Sequence, residues 1–231
     1  MNSKFKTTED VVYNSPKIIV FGDPDCGKTR LIPTAPNPLI ISAESGLISI
    51  RGTGLKVWEI ENFKEIQNEV LPYLKTQTEF ETICFDTLTD ICEKALVHHS
   101  KGESKDGNKK HGQAVYGEAL TDLVDVLTQI RNLPSNVYMI CRNQFRQYGQ
   151  KGSGERWGPQ SIGQQLPQSL PFFFSGCFFM QNFLNEETNQ MQPYLLTKNV
   201  NNPQYMVRDR TGKLEEWEPA NLQYIFNKLT Q

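Results

Sequence analysis

The feature that most constrains the fold of this chain is an eight-residue loop near its start, Gly22-Asp23-Pro24-Asp25-Cys26-Gly27-Lys28-Thr29. It matches the pattern G-x-x-x-x-G-K-T, in which glycines let the backbone turn tightly so that its N–H groups can surround a phosphate. The run before it, Lys17-Ile18-Ile19-Val20-Phe21, is apolar and β-prone, so the loop is expected to leave a buried strand. That context favours a phosphate-binding P-loop over a glycine-rich turn that precedes Lys-Thr by chance.

The fixed positions of the loop have chemical roles that their residue types explain. Lys28 is predicted to reach the β- and γ-phosphates of a nucleotide, and the Thr29 hydroxyl is predicted to ligate Mg²⁺. ATP and Mg²⁺ are therefore the expected ligands. The predicted nucleotide-binding residues are the loop and its next neighbour: Gly22, Asp23, Pro24, Asp25, Cys26, Gly27, Lys28, Thr29 and Arg30.

Composition and charge narrow the class of protein. The chain has 231 residues, 38% hydrophobic and 22% charged, which suits one large α/β domain or two small ones. Its net charge of −2 means that nucleic-acid binding would need a local basic patch. Since no apolar run approaches the ~20 residues of a membrane span, no membrane partner is expected.

The cysteines and histidines predict a reducing compartment and no zinc site. The five cysteines are scattered, without a C-x-x-C pair, which favours reduced thiols and a cytoplasmic location. The histidines are His98, His99 and His111, all in one polar region, a pattern that gives zinc binding no support.

Alternating strand and helix patterns predict an α/β fold with a mainly parallel twisted sheet and helices on both faces. Residues 1–15 are predicted to be a short polar extension, and residues 16–231 a single domain, because no linker or repeat interrupts them. The strands after the first are predicted at 39–42, 56–60, 81–86, 137–141, 172–180, 193–197 and 205–207. The helices are predicted at 63–75, 87–99, 116–130 and 219–229, and a polar, glycine-rich loop is predicted over 142–166.

Two acidic residues are expected beside the P-loop, because each follows a predicted strand of a parallel sheet. Asp86 ends the predicted strand 81–86 and is predicted to orient the magnesium shell, the alternative being an N-cap for the next helix. Thr87, not a glutamate, follows it. Glu44, after the second strand, is therefore the candidate that positions the attacking water, the alternative being a solvated loop acid.

Two amides follow the fifth predicted strand and belong to the same sheet edge. Asn143 or Gln144 is predicted to sense the γ-phosphate through its side-chain amide, and an ordinary loop amide is the alternative. Lys28, Glu44 and Asp86 are thus the predicted catalytic residues, with Thr29 and Asp86 as the metal ligands.

Two polar segments are candidates for contact with single-stranded DNA. The segment 142–157 combines cations with aromatic rings, which suits single strands because phosphates pair with charge while exposed bases stack on rings. The segment 100–112 carries several lysines. The alternative for both is a solvated surface loop. The predicted DNA-contacting residues are Arg142, Arg146, Tyr148, Lys151, Arg156, Trp157, Lys109 and Lys110.

This arrangement resembles the RecA-like ATPases, and most closely the phage single-strand-annealing ATPases, over most of residues 16–230. The segments that carry the resemblance are GDPDCGKT (22–29), ISAESGL (41–47), TICFDTLTD (82–90), YMICRNQ (138–144) and MVRDRTGKLEEWEPANLQYI (206–225). Ser175 departs from the family pattern, which often has an acid before a late strand.

The resemblance implies roles for three residues and a set of partners. Glu44 resembles the family's catalytic base in position. Arg208 matches a basic residue of the late K/R-D-R segment, Arg210 follows it, and both are expected to act across an interface on the ATP of a neighbouring protomer. The implied partners are single-stranded DNA, further copies of the chain in a ring or filament, and a single-strand-binding protein.

The sequence therefore predicts an ATPase, stimulated by single-stranded DNA, that promotes annealing or strand pairing. One alternative is a nucleotide-gated loader or interaction module for a replication protein. A second alternative, a small-molecule P-loop kinase, is less well supported because the sequence has no arginine-rich lid and a water-positioning Glu44 would have no purpose.

Overall fold

The computed structural model describes residues 15–44, 46–101, 112–147, 154–186 and 188–231. Predicted sites at Lys109, Lys110, Tyr148 and Lys151 lie outside the described residues. The strands are β1 (Lys17–Gly22), β2 (Pro38–Ser42), β3 (Lys56–Glu59), β4 (Thr82–Asp86), β5 (Asn136–Gln147), β6 (Glu155–Pro159), β7 (Gly176–Asn185), β8 (Gln190–Leu196), β9 (Arg208–Asp209) and β10 (Trp217–Pro219).

The helices are α1 (Phe63–Glu65), α2 (Leu71–Thr76), α3 (Leu88–Ser100), α4 (Gly112–Arg131), α5 (Gln165–Phe173) and α6 (Leu222–Thr230). A π-helical turn, Ile66–Val70, joins α1 to α2, and two 3-10 helices span Thr29–Thr34 and Leu47–Ile50. No helix in the described part of the chain is long and apolar enough to cross a membrane.

The strands form one sheet in the order β10-β8-β7-β1-β5-β4-β2-β3, with β6 paired to β5 and β9 paired to β7. The strands from β7 to β3 in this order are parallel to one another, whereas β6, β8, β9 and β10 are antiparallel to their partners. Register places Gly22 beside Arg142 and Ser42 beside Asp86. The loops that follow β1, β2 and β4 therefore lie together at the carboxyl edge of the sheet.

The first strand shows why helices cover both faces. Ile19 and Phe21 point into a core cluster shared with α1 to α5, and Ile18 and Val20 point into a second cluster shared with the 3-10 helix Thr29–Thr34 and α6. All four side chains have no exposed surface, and burial of such side chains contributes about 1.5–3 kcal/mol each. The predicted fold class, a mainly parallel sheet covered on both faces, is confirmed.

The predicted loop over 142–166 is wrong, because this range contains the end of β5, all of β6 and the first residues of α5. Residues 143–147 continue β5 past its pairing with β1, which ends at Arg142, and they form an antiparallel hairpin with β6. The sequence Arg142-Asn143-Gln144-Phe145-Arg146-Gln147 is mostly polar because this extension leaves the core. The composition of this segment is therefore typical of a loop, although its pairing with β6 makes the segment a strand.

The predicted strands in the last third are shifted. Residues up to Phe173 belong to α5, and β7 begins only at Gly176. A Cβ at Gly176 would lie 2.2 Å from the ring of Phe178, so the start of this strand has no room for a side chain beside that ring. The predicted strand 205–207 is a single bridge from Tyr205 to Trp157, and β9 follows it.

Candidate active site

The loop 22–29 leaves β1 at the carboxyl edge of the sheet with the backbone that its glycines predict. Asp25 and Gly27 have φ angles of 62° and 102°, the left-handed region that Gly occupies most readily. A Cβ at Gly22 would lie 2.8 Å from the carbonyl oxygen of Met180. Gly22 therefore lets the loop start close against β7.

The lysine of the loop folds back over the turn. Lys28 Nζ donates to the carbonyl oxygens of Gly22 at 2.9 Å and Asp23 at 2.7 Å. The hydroxyl of Tyr138, a fully buried residue on β5, donates to the Lys28 carbonyl at 2.8 Å. The hydrogen bond from Tyr138 thus anchors the loop to β5, and the two bonds of the Lys28 ammonium group hold it against the backbone at the start of the loop.

Asp86 and Thr29 meet as the motif predicts. Thr29 Oγ1 donates to Asp86 Oδ2 at 3.0 Å. The N-cap of α3 is Thr87, whose side chain accepts from the Asp90 N–H, so Asp86 is not the cap of this helix. Asp86 is buried, and burial raises the pKa of its carboxyl to about 6, with the Thr29 hydrogen bond lowering that pKa and the charge of Glu44 raising it. A bound cation would favour the ionised form.

These residues border a cavity of about 630 Å³ at the carboxyl edge. The three predicted catalytic residues, Lys28, Glu44 and Asp86, all line it. Seven of the nine predicted nucleotide-binding residues also do so: Gly22, Pro24, Asp25, Gly27, Lys28, Thr29 and Arg30. Asp23 and Cys26 are not among the lining residues. Cys26 is buried, and that burial raises the pKa of its thiol.

Glu44 is exposed and lies just past β2. Its carboxylate is near enough to Asp86 to raise the pKa of that residue, which places two acids on one wall of the cavity. An exposed carboxylate beside the phosphate loop is accessible to water. The alternative, a solvated loop acid, fits the same exposed position, so Glu44 as the catalytic base stays a prediction.

The two amides predicted to sense the γ-phosphate, Asn143 and Gln144, differ in their position relative to the cavity. Asn143 lines the cavity, and its Nδ2 donates to Asp23 Oδ1 at 2.6 Å. Gln144 is not among the residues that line the cavity. Its Oε1 is buried without a hydrogen-bond partner among the described residues. Of the two amides, only Asn143 lines the cavity.

Sequence reasoning missed several cavity residues, and they are Gly46, Ile48, Ser49, Thr87, Ile140 and Gln160. Ile48 and Ser49 follow Glu44 in the 3-10 helix Leu47–Ile50, so their closeness to Glu44 in sequence was an available signal. Gln160 comes to the cavity because β6 returns antiparallel to β5. No sequence signal marked that return.

The β5–β6 hairpin separates the predicted DNA-contacting residues by face. Arg146 lies directly opposite Arg156, and Phe145 lies directly opposite Trp157. Successive side chains alternate between faces, so the arginines and the rings occupy opposite sides. The Phe145 and Trp157 ring centroids are 5.1 Å apart. The cations and rings of this segment therefore lie on different faces of the hairpin, and their contact with DNA stays a prediction.

Three other arginines with predicted roles, Arg142, Arg208 and Arg210, lie in two different parts of the sheet. Arg142 lines the cavity and pairs with Asp90 of α3 at 2.9 Å. Arg208 pairs in β9 with Cys177 near the start of β7, and the Arg210 N–H donates to the Ser175 carbonyl at 3.0 Å. Both arginines therefore lie toward the amino edge of the sheet, away from the P-loop of their own chain.

The donor set fits magnesium and a triphosphate. Mg²⁺ prefers oxygen ligands and keeps several waters, binding through one or two protein groups plus substrate phosphates. Thr29 Oγ1 and Asp86 Oδ2 are such a pair. Elsewhere among the described residues, no group of three or more His, Cys, Asp or Glu side chains is placed to hold a metal ion.

Comparison with known proteins identifies the family. A profile of the family described as an AAA domain matches residues 14–208. The crystal structure of flagellar accessory protein FlaH from Methanocaldococcus jannaschii is similar at a TM-score of 0.44 and 9% sequence identity, over 90% of this chain and 88% of FlaH. No curated protein matches.

The family match covers the phosphate loop, Glu44, Asp86 and Asn143. The family and the geometry around the loop support a P-loop ATPase. Since the match extends over most of the sequence, this chain belongs to the AAA domain family.

Proposed function

We propose that this protein binds and hydrolyses ATP and couples the cycle to single-stranded DNA, promoting annealing or strand pairing as an oligomer with ATP between protomers. The observation that carries the hydrolytic part is the wall of the cavity where Lys28, Thr29, Asp86 and Glu44 come together. Binding of ATP and Mg²⁺ without hydrolysis would need only Lys28, Thr29 and Asp86. An exposed carboxylate beside them supplies the group that hydrolysis needs in addition.

Each residue has a role that its position supports. Lys28 stabilises the charge that develops on the transferred phosphoryl group, and Thr29 and Asp86 would hold Mg²⁺. When bound, Mg²⁺ neutralises charge on the phosphate oxygens. Glu44 orients a water molecule and accepts its proton. Asn143 reaches the γ-phosphate region from β5.

The β5–β6 hairpin supports the DNA-binding part. Like charges directly opposite each other on a strand pair are destabilising. Arg146 faces Arg156 in this way, and each arginine is half-buried. A phosphate between them would relieve the repulsion. Tyr148, Lys151, Lys109 and Lys110 stay predicted DNA contacts, and they lie outside the described residues.

The oligomeric part includes Arg208 and Arg210, which we propose act in trans. Neither lines the cavity of its own chain, so a role at a nucleotide requires a neighbouring protomer. An arginine supplied from outside a P-loop site can stabilise the transition state strongly. A single-strand-binding protein is the further proposed partner.

The test is phosphate release from ATP by purified protein, with and without a single-stranded oligonucleotide and with no other phosphate acceptor. The proposal expects turnover that rises with DNA and that Lys28→Ala eliminates. Turnover only with an added small-molecule acceptor would favour a kinase. ATP binding without DNA-dependent turnover would favour a nucleotide-gated loader. Either outcome would reject the proposed function.

A further inference from the structure

We infer that copies of this chain associate head to tail, with the tip of the β7–β8 hairpin of one copy seated in an apolar groove beside β3 of the next. This inference rests on the proposed oligomer and deepens it, because it names the two surfaces that meet. The groove lies at the rim of the nucleotide cavity, so the contact joins assembly to the nucleotide site.

The hairpin tip presents apolar side chains that the rest of the described chain does not cover. Leu184 on β7 lies directly opposite Met191 on β8, and these residues are 55% and 59% exposed. β10 pairs with β8 only from Tyr194 to Leu196, which leaves the tip side of β8 with an open edge. Glu186, next to this apolar pair, is exposed and gives the tip a negative charge.

The groove is apolar with a positive border. It has a volume of about 340 Å³ and lies between the 3-10 helix Leu47–Ile50 and β3. Ile48 and Val57, two of its lining residues, are 83% and 42% exposed. Arg51 also lines it, and no acid is among the lining residues.

A second copy is the occupant that these features support. The tip is apolar with an acid, and the groove is apolar with a base, so they are complementary in both character and charge. They belong to opposite ends of the strand order, since β8 lies near one end and β3 forms the other. Different patches in contact make a heterologous interface, which builds rings or filaments instead of two-fold dimers.

The groove also communicates with the nucleotide site. Ile48 lines both the groove and the nucleotide cavity, and it follows Glu44 by four positions. A partner tip in the groove would therefore cover apolar surface at the entrance to the cavity. Nucleotide occupancy and association would then favour each other through linkage.

The first experiment measures assembly by sedimentation velocity with ATP, Mg²⁺ and single-stranded DNA. Leu184→Asp on the tip and Val57→Asp in the groove should each weaken association by about tenfold or more, because each places a charge in an apolar contact. Val200→Asp is the matched control, since Val200 is 74% exposed and belongs to neither surface. Circular dichroism would verify that each variant is folded.

The second experiment is a charge reversal. Arg51→Glu and Glu186→Arg should each weaken association, and the chain that carries both changes should associate more strongly than either single variant. Equal assembly of wild type, Leu184→Asp, Val57→Asp and the reversed pair would overturn the docking inference and leave the ATPase proposal intact. A wild-type protein that stays monomeric in all conditions would overturn both this inference and the oligomeric part of the proposed function.

Discussion

At the scale of single residues, the P-loop is limited by how closely its backbone approaches β7. Gly22 has room for hydrogen only, since a Cβ there would lie 2.8 Å from the Met180 carbonyl and 3.0 Å from Cys26 Sγ. Gly117 on α4 is the contrasting case, with nothing within 4 Å of a Cβ at that position. Alanine substitutions at these two glycines therefore separate the effect of a steric clash, at Gly22, from the effect of helix propensity alone, at Gly117.

We predict that Gly22→Ala lowers the free energy of unfolding by about 1–3 kcal/mol, because the backbone must shift to accept the methyl group. Gly117→Ala should raise it by about 0.5–1 kcal/mol, because alanine loses less backbone entropy in a helix. Urea denaturation followed by circular dichroism measures both. Equal stability of the Gly22 variant and wild type would show that the loop does not need the close contact.

A second residue-scale prediction concerns Asp86, whose carboxylate meets Thr29 Oγ1 at 3.0 Å. Asp86→Asn keeps the shape but removes the charge that Mg²⁺ would bind, so half-maximal ATPase activity should require about tenfold more Mg²⁺. Asp90→Asn is a useful control, because Asp90 lies on α3 and pairs with Arg142. An unchanged magnesium titration for Asp86→Asn would remove Asp86 from the metal site.

At this scale the sequence was most informative where a fixed pattern specified the chemistry. The spacing of the motif located Lys28 and Thr29, and both residues line the cavity. Asp86 was ambiguous between a metal ligand and a helix cap, because both roles place an acid at the end of a strand. Only the structure shows that the Thr87 side chain caps α3.

At the scale of elements, the β5–β6 hairpin is what the sequence did not predict. Its polar, glycine-rich composition is typical of loops, and its pairing depends on contacts between residues such as Asn143 and Pro159. Cross-strand pairing is a tertiary effect that local propensity does not encode. The consequence is functional, because the hairpin puts Arg146 and Arg156 on one face and Phe145 and Trp157 on the other.

We predict that Arg146→Ala combined with Arg156→Ala weakens binding of single-stranded DNA and reduces the slope of log affinity against log salt by about two, one for each lost phosphate contact. Trp157→Phe, which keeps an aromatic ring against Phe145, should change affinity little. Fluorescence anisotropy with a labelled oligonucleotide over a salt series measures both. An unchanged slope in the double variant would remove the hairpin arginines from the DNA surface.

At the scale of the whole molecule, strand order determines which residues can act together within one chain. The parallel strands bring Lys28, Glu44, Asp86 and Asn143 to the carboxyl edge, and alternating hydrophobic runs were sufficient to predict that edge. They were not sufficient to place Arg208 and Arg210, because β9 is only two residues long. Its pairing with the start of β7 directs both arginines away from the cavity of their own chain.

We predict that Arg210→Ala lowers ATPase activity while ATP binding stays within a few-fold of wild type. Mixing Arg210→Ala with Lys28→Ala should restore part of the activity, because some interfaces then combine an intact P-loop with an intact arginine. Steady-state phosphate release from the mixture, after co-assembly is verified, measures the effect. Activity no greater than that of the two variants measured separately would contradict a role in trans.

The central claim is that the cavity at the carboxyl edge hydrolyses ATP with Glu44 as the base, and Glu44→Gln tests it most directly. The amide keeps the size of the side chain but cannot accept a proton from water. Single-turnover hydrolysis should fall by about 10²–10⁴-fold, while the Kd for ATP stays within about threefold of wild type because phosphate binding depends on Lys28 and the loop. A single-turnover rate within about threefold of wild type would contradict the account.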